Sequence, residues 1–210
     1  MEIVSHRGYW KAAEEKNSEI AFERSFSLGY GTETDLRDYK EELVISHDIA
    51  NEKNLTVDNF FKIYKKYLAG TLALNIKADG LQLKLKKLLE EHSIENYFVF
   101  DMSIPDTLGY IKEGLAFFSR QSEYELMPAF YDECDGIWLD AFVDTWYDGE
   151  IICNHINNNK KVAIVSSELH KRNHVSLWQN LKKNKVHLLD KAILCTDIPE
   201  EATKYFFKEL

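Results

Sequence analysis

Short apolar and β-branched runs alternate with amphipathic stretches along almost the whole chain, and this alternation restricts the architecture more than any single motif does. Glu2 to Ser5 opens as an extended run. Ile20, Ala21, Ser25 and Leu28 then recur at helical spacing from about Ser18 until Gly29 supplies a stop, with Asn17 and Ser18 as candidate caps. Thr32 to Arg37 and Leu43 to Ser46 read as extended, Thr56 to Tyr67 as a helix and Thr71 to Lys77 as a strand. From Leu81 to Leu89 the leucines share one face, with Lys84, Lys86 and Lys87 largely on the other, which is an amphipathic helix. Tyr97 to Asp101, Leu115 to Ser119, Gly136 to Asp140, Lys161 to Ser166 and Ala192 to Thr196 continue the strands, with Met127 to Cys134 preceding the third of these five. Helical stretches at Pro105 to Lys112, Gly149 to Ile156, His174 to Lys183 and Glu200 to Phe207 complete the alternation.

Counting the strands that helices separate gives eight, which predicts an α/β fold of the (β/α)8 TIM barrel type with a parallel sheet. The chain has 210 residues, near the lower edge of the usual ~200 to 400, so its loops must be short. No linker or repeat divides it, and residues 1-210 read as a single domain. Active sites in this architecture gather at the C-terminal ends of the strands. The polar residues fall there: His6 and Arg7, Glu33 and Asp35, Asn75 and Lys77, then Asp101, Arg120, Glu123, Asp140, Ser167, Glu168 and Asp197.

Glu33 and Asp35 carry the most specific chemistry among these residues. Two apart on a strand, they point to one face about 7 Å apart along the backbone, so their carboxylates can converge on one cation. His47 and Asp48 close the next extended run, and His6-Arg7-Gly8 closes the first, so acid, base and guanidinium groups all lie at strand ends. The net charge of -9 and the pI near 5.3 argue against broad nucleic-acid binding, which needs a basic surface. No segment approaches the ~18 apolar residues of a membrane span, and the N-terminus has no basic leader or signal-length apolar run. The three cysteines show neither pairing nor metal-ligand spacing, and the expected compartment is the cytoplasm. His92, His155, His174 and His187 have no partner pattern and read as surface residues, whereas His170 and Arg172 lie where a strand-to-helix loop could touch substrate. Tyr124, Trp138, Phe142, Trp146 and Tyr147 enrich the later strand ends in aromatics, either as core or as an apolar or sugar-stacking wall.

His6-Arg7-Gly8, Asn17-Ser18, Glu33-Thr34-Asp35 and Ser46-His47-Asp48, in that order, resemble the glycerophosphodiester phosphodiesterase family. The likeness is strongest over residues 1 to 48 and continues through Asn75-Ile76-Lys77 and Thr196-Asp197-Ile198-Pro199. The resemblance implies hydrolysis of a small-molecule phosphodiester, with His6 and His47 as general acid and base and Arg7 and Lys77 as phosphate contacts. It also implies a divalent metal on Glu33 and Asp35. The family usually has glutamate where this chain has Asn75, whose amide oxygen can still coordinate but brings no charge. Such oxygen donors select a hard ion, Mg²⁺ or Ca²⁺ rather than zinc. Only about two dozen residues separate the His47 stretch from the next strand, where the family commonly inserts a larger segment, so a more open pocket is expected. The chemistry needs a base for the nucleophile, an acid for the leaving alkoxide and positive charge beside the phosphoryl oxygens. A substrate hydroxyl next to the ester could attack first and form a cyclic phosphate that water then opens. The alternatives are a catalytically weak barrel that binds phosphorylated polyol or sugar ligands, and a metal-free phosphodiesterase in which Arg7 or Lys77 replaces the cation's charge.

Overall fold

The strands of the computed structural model, which describes residues 1–207, pair in the order β5-β4-β2-β1-β9-β8-β7-β6, with every neighbouring pair parallel. In chain order they are β1 (Glu2–His6), β2 (Gly31–Tyr39), β3 (Glu42–Ile45), β4 (Leu72–Ile76), β5 (Tyr97–Phe100), β6 (Phe118–Gln121), β7 (Gly136–Leu139), β8 (Lys161–Val165) and β9 (Ala192–Thr196). The helices are α1 (Glu19–Ser27), α2 (Val57–Tyr67), α3 (Gln82–Glu91), α4 (Ile104–Glu113), α5 (Gly149–Asn157), α6 (Val175–Lys183) and α7 (Pro199–Phe207). Eight parallel strands with helices around them form the expected (β/α)8 barrel.

β1 and β9, the first and last strands, lie side by side, so the barrel closes elsewhere, between β5 and β6. There the ladder shrinks to one parallel bridge, Val99 to Phe117, with the Val99 N–H donating to the Ala116 carbonyl at 2.9 Å. Stacked rings hold this seam where hydrogen bonds are few: Phe98 lies on Phe118 at 3.7 Å between centroids, and Phe100 lies on Trp138 at 3.9 Å. With Val4, Ala73, Ala163 and Ile193 these aromatics fill the barrel interior. The larger core lies outside the sheet, where Phe22 of α1 meets Phe60 of α2 at 4.6 Å.

Two local expectations are corrected. The fifth barrel strand begins at Phe118 rather than Leu115, and residues 122–135 after it form turns with no helix, so one of the eight strands lacks its own α-helix. Pro128, which cannot donate within a helix, sits in that stretch. The second strand is longer than expected. β2 continues past the barrel and turns through Lys40, at φ 55°, into β3, which pairs with it antiparallel from Leu36–Ile45 to Tyr39–Glu42.

The loop after β1 is shaped by a close approach. Gly8 has φ +78°, and a Cβ on it would lie 2.8 Å from the Ala21 Cβ of α1, so glycine is the residue that lets helix and loop meet. Its N–H donates to Thr32 Oγ1 at 3.0 Å, which fixes the turn directly behind His6 and Arg7.

Candidate active site

Strand register builds the site. His6 is level with Glu33, and Asp35 is level with Asn75, so β1, β2 and β4 bring these side chains to one wall of the barrel mouth. His6 Nδ1 lies 2.7 Å from Asp197 Oδ1, just beyond β9, and its Nε2 is 3.9 Å from Glu33 Oε2. Asp197 is itself held: Glu168 Oε1 accepts the Asp197 N–H at 3.2 Å and the Thr196 hydroxyl. A carboxylate on Nδ1 orients the imidazole and leaves Nε2 to face the interior.

Glu33 and Asp35 are both buried. The Arg7 N–H donates to the Glu33 carbonyl at 2.9 Å and to Glu33 Oε2 at 3.2 Å. Burial, and then the neighbouring Asp35 charge, push the Glu33 carboxyl up to about 7, against the pull of His6, Arg7 and Lys77. Three nitrogen groups surround Asp35. Asn17 Nδ2 donates to Oδ2 at 2.8 Å, Arg7 Nε lies 2.9 Å from the same oxygen, and Lys77 Nζ is 3.5 Å from Oδ1. The Arg7 contact is close but not directed as a hydrogen bond, so charge rather than alignment carries it.

Asn17 corrects an expectation. Its side chain does not cap α1; its Oδ1 accepts from Thr34 Oγ1 at 2.9 Å while its amide N–H serves Asp35. Ser18 occupies the cap position without a capping side-chain bond. Beyond Asn75, Lys77 Nζ reaches within 3.9 Å of Asp101 Oδ2, and Arg120 Nη1 lies 3.2 Å from Asp101 Oδ1. Burial pushes the Asp101 carboxyl up, while Arg120, Lys77 and Asn75 affect it too, the first two by their charge lowering it.

Asp35 Oδ1 and Asn75 Oδ1 are buried and accept no hydrogen bond. With the Glu33 carboxylate they make an oxygen-only donor set, which fits a hard divalent cation; such an ion would also relieve the repulsion that raises the Glu33 proton affinity. Among the described residues no three His, Cys, Asp or Glu side chains converge as metal ligands.

The fold thus gathers His6, Arg7, Glu33, Asp35, Asn75 and Lys77. His47 stands further out on the loop after β3, 46% exposed, with Nδ1 2.9 Å from Asp48 Oδ1. That loop is tied to the site by the Ser46 N–H, which donates to the Asp35 carbonyl at 2.9 Å. The His47 contact and the charges of Arg7 and Arg37 hold the Asp48 carboxyl below its usual range. Across the mouth, His170 Nε2 lies 2.7 Å from the buried Asp140 Oδ1, and its ring is 5.1 Å from Phe142. His155 is not a surface residue: it is buried, with Nε2 2.8 Å from Gln121 Oε1 and Nδ1 2.9 Å from the Tyr131 hydroxyl.

Asp197 and Glu168 are working residues to which sequence reasoning gave no role beyond a place at a strand end, and Asn17 is one that it read as a helix cap. Asp197 had a usable signal, since barrel closure puts the residue after the last strand beside the end of the first. Asn17 had a signal too, since the Asn17-Ser18 pair is part of the family resemblance.

Neither a protein-family profile nor a curated protein sequence matches the chain. Solved structures do. A glycerophosphodiester phosphodiesterase from Parabacteroides distasonis ATCC 8503 superposes with a TM-score of 0.69 at 16% identity, covering 98% of this chain and 96% of the other. A Galdieria sulphuraria protein provisionally assigned the same activity gives 0.76 at 16% identity, covering 98% and 97%. A glycerophosphodiester phosphodiesterase from Agrobacterium tumefaciens str. C58 gives 0.70 at 13% identity, covering 95% and 97%. At these identities the likeness is one of fold.

Proposed function

We propose that the chain hydrolyses a small-molecule phosphodiester at the barrel mouth, as a glycerophosphodiester phosphodiesterase does. One observation carries the reading: an oriented histidine, His6 on Asp197, meets two cations, Arg7 and Lys77, around the buried Glu33 and Asp35 pair. Solved barrels of the same shape, among them the Parabacteroides distasonis and Agrobacterium tumefaciens glycerophosphodiester phosphodiesterases, support the reaction class.

In this reading Arg7 and Lys77 bind the phosphate oxygens and offset charge that builds on them. His6 takes the proton of the attacking hydroxyl through Nε2 as the new O–P bond forms. His47 gives a proton to the leaving alkoxide as the other P–O bond breaks, and the roles reverse when water opens a cyclic product. The anchored but half-exposed loop of His47 supports that assignment. Glu33, Asp35 and Asn75 would hold Mg²⁺ or Ca²⁺, which would supply Lewis-acid polarisation of a phosphoryl oxygen. The site lies in a chain whose described helices are too short or too polar to cross a membrane, and its three cysteines are unpaired, in keeping with the cytoplasm.

The test is turnover of a glycerophosphodiester before and after chelation, paired with calorimetric titration of Mg²⁺ and Ca²⁺. Activity lost on chelation and restored by one ion, with binding abolished in Glu33→Ala, is the expected result. Turnover indifferent to chelation, with no heat at millimolar ion, would remove the metal and leave Arg7 and Lys77 as the only charge at the phosphate. The neutral Asn75 favours a second reading, a barrel that binds phosphorylated polyol or sugar ligands without turning them over. Ligand binding with no product would support it.

A further inference from the structure

A cavity of about 300 Å³ opens beside the β5–β6 seam, where the ladder is reduced to its single bridge. That volume is at the lower end of the roughly 300–1,000 Å³ of small-molecule sites. Met102, Ile104, Phe117, Phe118, Met127 and Phe130 form its apolar walls, and the two hydroxyls among them are already engaged, Thr107 Oγ1 donating to the Ser103 carbonyl at 2.9 Å and Ser119 Oγ to the Ala129 carbonyl. Asp101 and Arg120 supply its polar side, and they are already paired, Arg120 Nη1 with Asp101 at 3.2 Å and Arg120 Nε with Glu125 Oε2 at 2.6 Å. With its cation shared between two carboxylates, the cavity has no free positive charge to offer an anionic group. The matching occupant is uncharged and apolar.

Two further observations connect this cavity to substrate. Lys77 touches Asp35 at 3.5 Å and Asp101 at 3.9 Å, so one ammonium borders both the phosphate site and the cavity. Two apolar lining residues stand in water, Ile104 and Met127, Met127 at 89%, and Tyr124 and Leu126, just before Met127 in the chain, are exposed as well. Tyr124, Leu126 and Met127 fall in the 122–135 segment that takes no helix. An exposed apolar cluster at the entrance of a cavity is a recognised mark of a binding surface.

We propose that the seam cavity is a subsite for an alkyl or acyl chain carried by the phosphodiester substrate. It rests on the phosphodiesterase reading above and narrows it: the phosphate lies at Arg7 and Lys77, and a chain on one of its alcohols runs past Asp101 into the seam. The preferred substrate is therefore a single-chain lipid phosphodiester rather than a wholly water-soluble one.

The experiment compares dodecylphosphocholine, below its micellar concentration, with glycerophosphocholine as ligands in calorimetric titration. The protein is wild type and the double variant Ile104→Asp, Met127→Asp. Both positions are exposed, and an unchanged melting temperature checks the fold. Wild type is expected to bind the chain-bearing probe at least ~10-fold more tightly, the scale of burying a few methylenes, and the variant to lose most of that preference. Equal affinities in wild type, or a preference untouched in the variant, would overturn the subsite. Hydrolysis of glycerophosphocholine and its acylated counterpart separates the two claims. A chain preference that the variant abolishes, with neither compound hydrolysed, keeps the subsite and rejects the phosphodiesterase; hydrolysis of both with no chain preference in binding does the reverse.

Discussion

His6 Nδ1 and Asp197 Oδ1, 2.7 Å apart, join the end of the first barrel strand to the residue just after the last. The contact fixes the imidazole without using the nitrogen that faces Glu33. His6→Ala should lower phosphodiester turnover by ~10² or more, the usual scale for losing a positioned acid or base, with folding intact. Asp197→Asn keeps an acceptor but not its charge, so it should lower kcat by less than His6→Ala and leave KM nearly unchanged. Steady-state kinetics decide this, and near-normal turnover in a folded His6→Ala would take His6 out of the mechanism.

His47 is assigned the complementary proton transfer although it stands half exposed on its loop. His47→Ala should also lower turnover by ~10² or more. Because the Ser46 N–H rather than the imidazole ties the loop to Asp35, thermal stability should not change. A folded variant with wild-type kcat would leave His47 as a surface residue and pass the role to another group at the mouth, with His170 the first to examine.

Asn75 sits level with Asp35, and its Oδ1 is buried without a hydrogen bond. Asn75→Glu adds an anionic oxygen to the proposed cation site. One charge pair at ~4 Å and an effective dielectric near 20 is worth roughly 4 kcal/mol before desolvation and repulsion from the other acids are subtracted. The variant should bind Mg²⁺ or Ca²⁺ ~10-fold or more tightly in calorimetric titration, with a smaller rise in turnover at limiting metal. Unchanged or weaker affinity in a folded variant would place Asn75 outside the coordination shell.

His155 makes a pH prediction remote from that site. Burial lowers its affinity for a proton below the ordinary value of 6.5. A neutral ring suits both its contacts, since Nε2–H can donate to Gln121 Oε1 while Nδ1 accepts from Tyr131. A folded-state pKa below the unfolded one means a stability contribution that is full above the unfolded value and is lost as pH falls through the folded value. Wild type should therefore lose melting temperature more steeply than His155→Gln between about pH 7 and about pH 5, so that the two curves converge on the acid side. Parallel curves would show that His155 carries a proton as readily folded as unfolded.

The amino-acid sequence determined the barrel and most of its chemical wall, because both rest on short-range periodicity. Alternation of strand and helix patterns sets the architecture. A two-residue period puts Glu33 with Asp35, and Asn75 with Lys77, on common faces whatever the rest of the chain does. The sheet then adds what no local pattern contains. Asp197 reaches His6 across 191 positions only because β9 closes beside β1. Asn17 serves Asp35 rather than a helix end because its own N–H donates to the Arg7 carbonyl at 2.9 Å, which holds it against the loop after β1. His155 is buried because the 122–135 turns, where a helix would be the norm, bring Tyr131 onto α5 beside Gln121 of β6. Burial and partner choice depend on which distant segments the closed sheet makes neighbours, and closure, unlike periodicity, belongs to the chain as a whole.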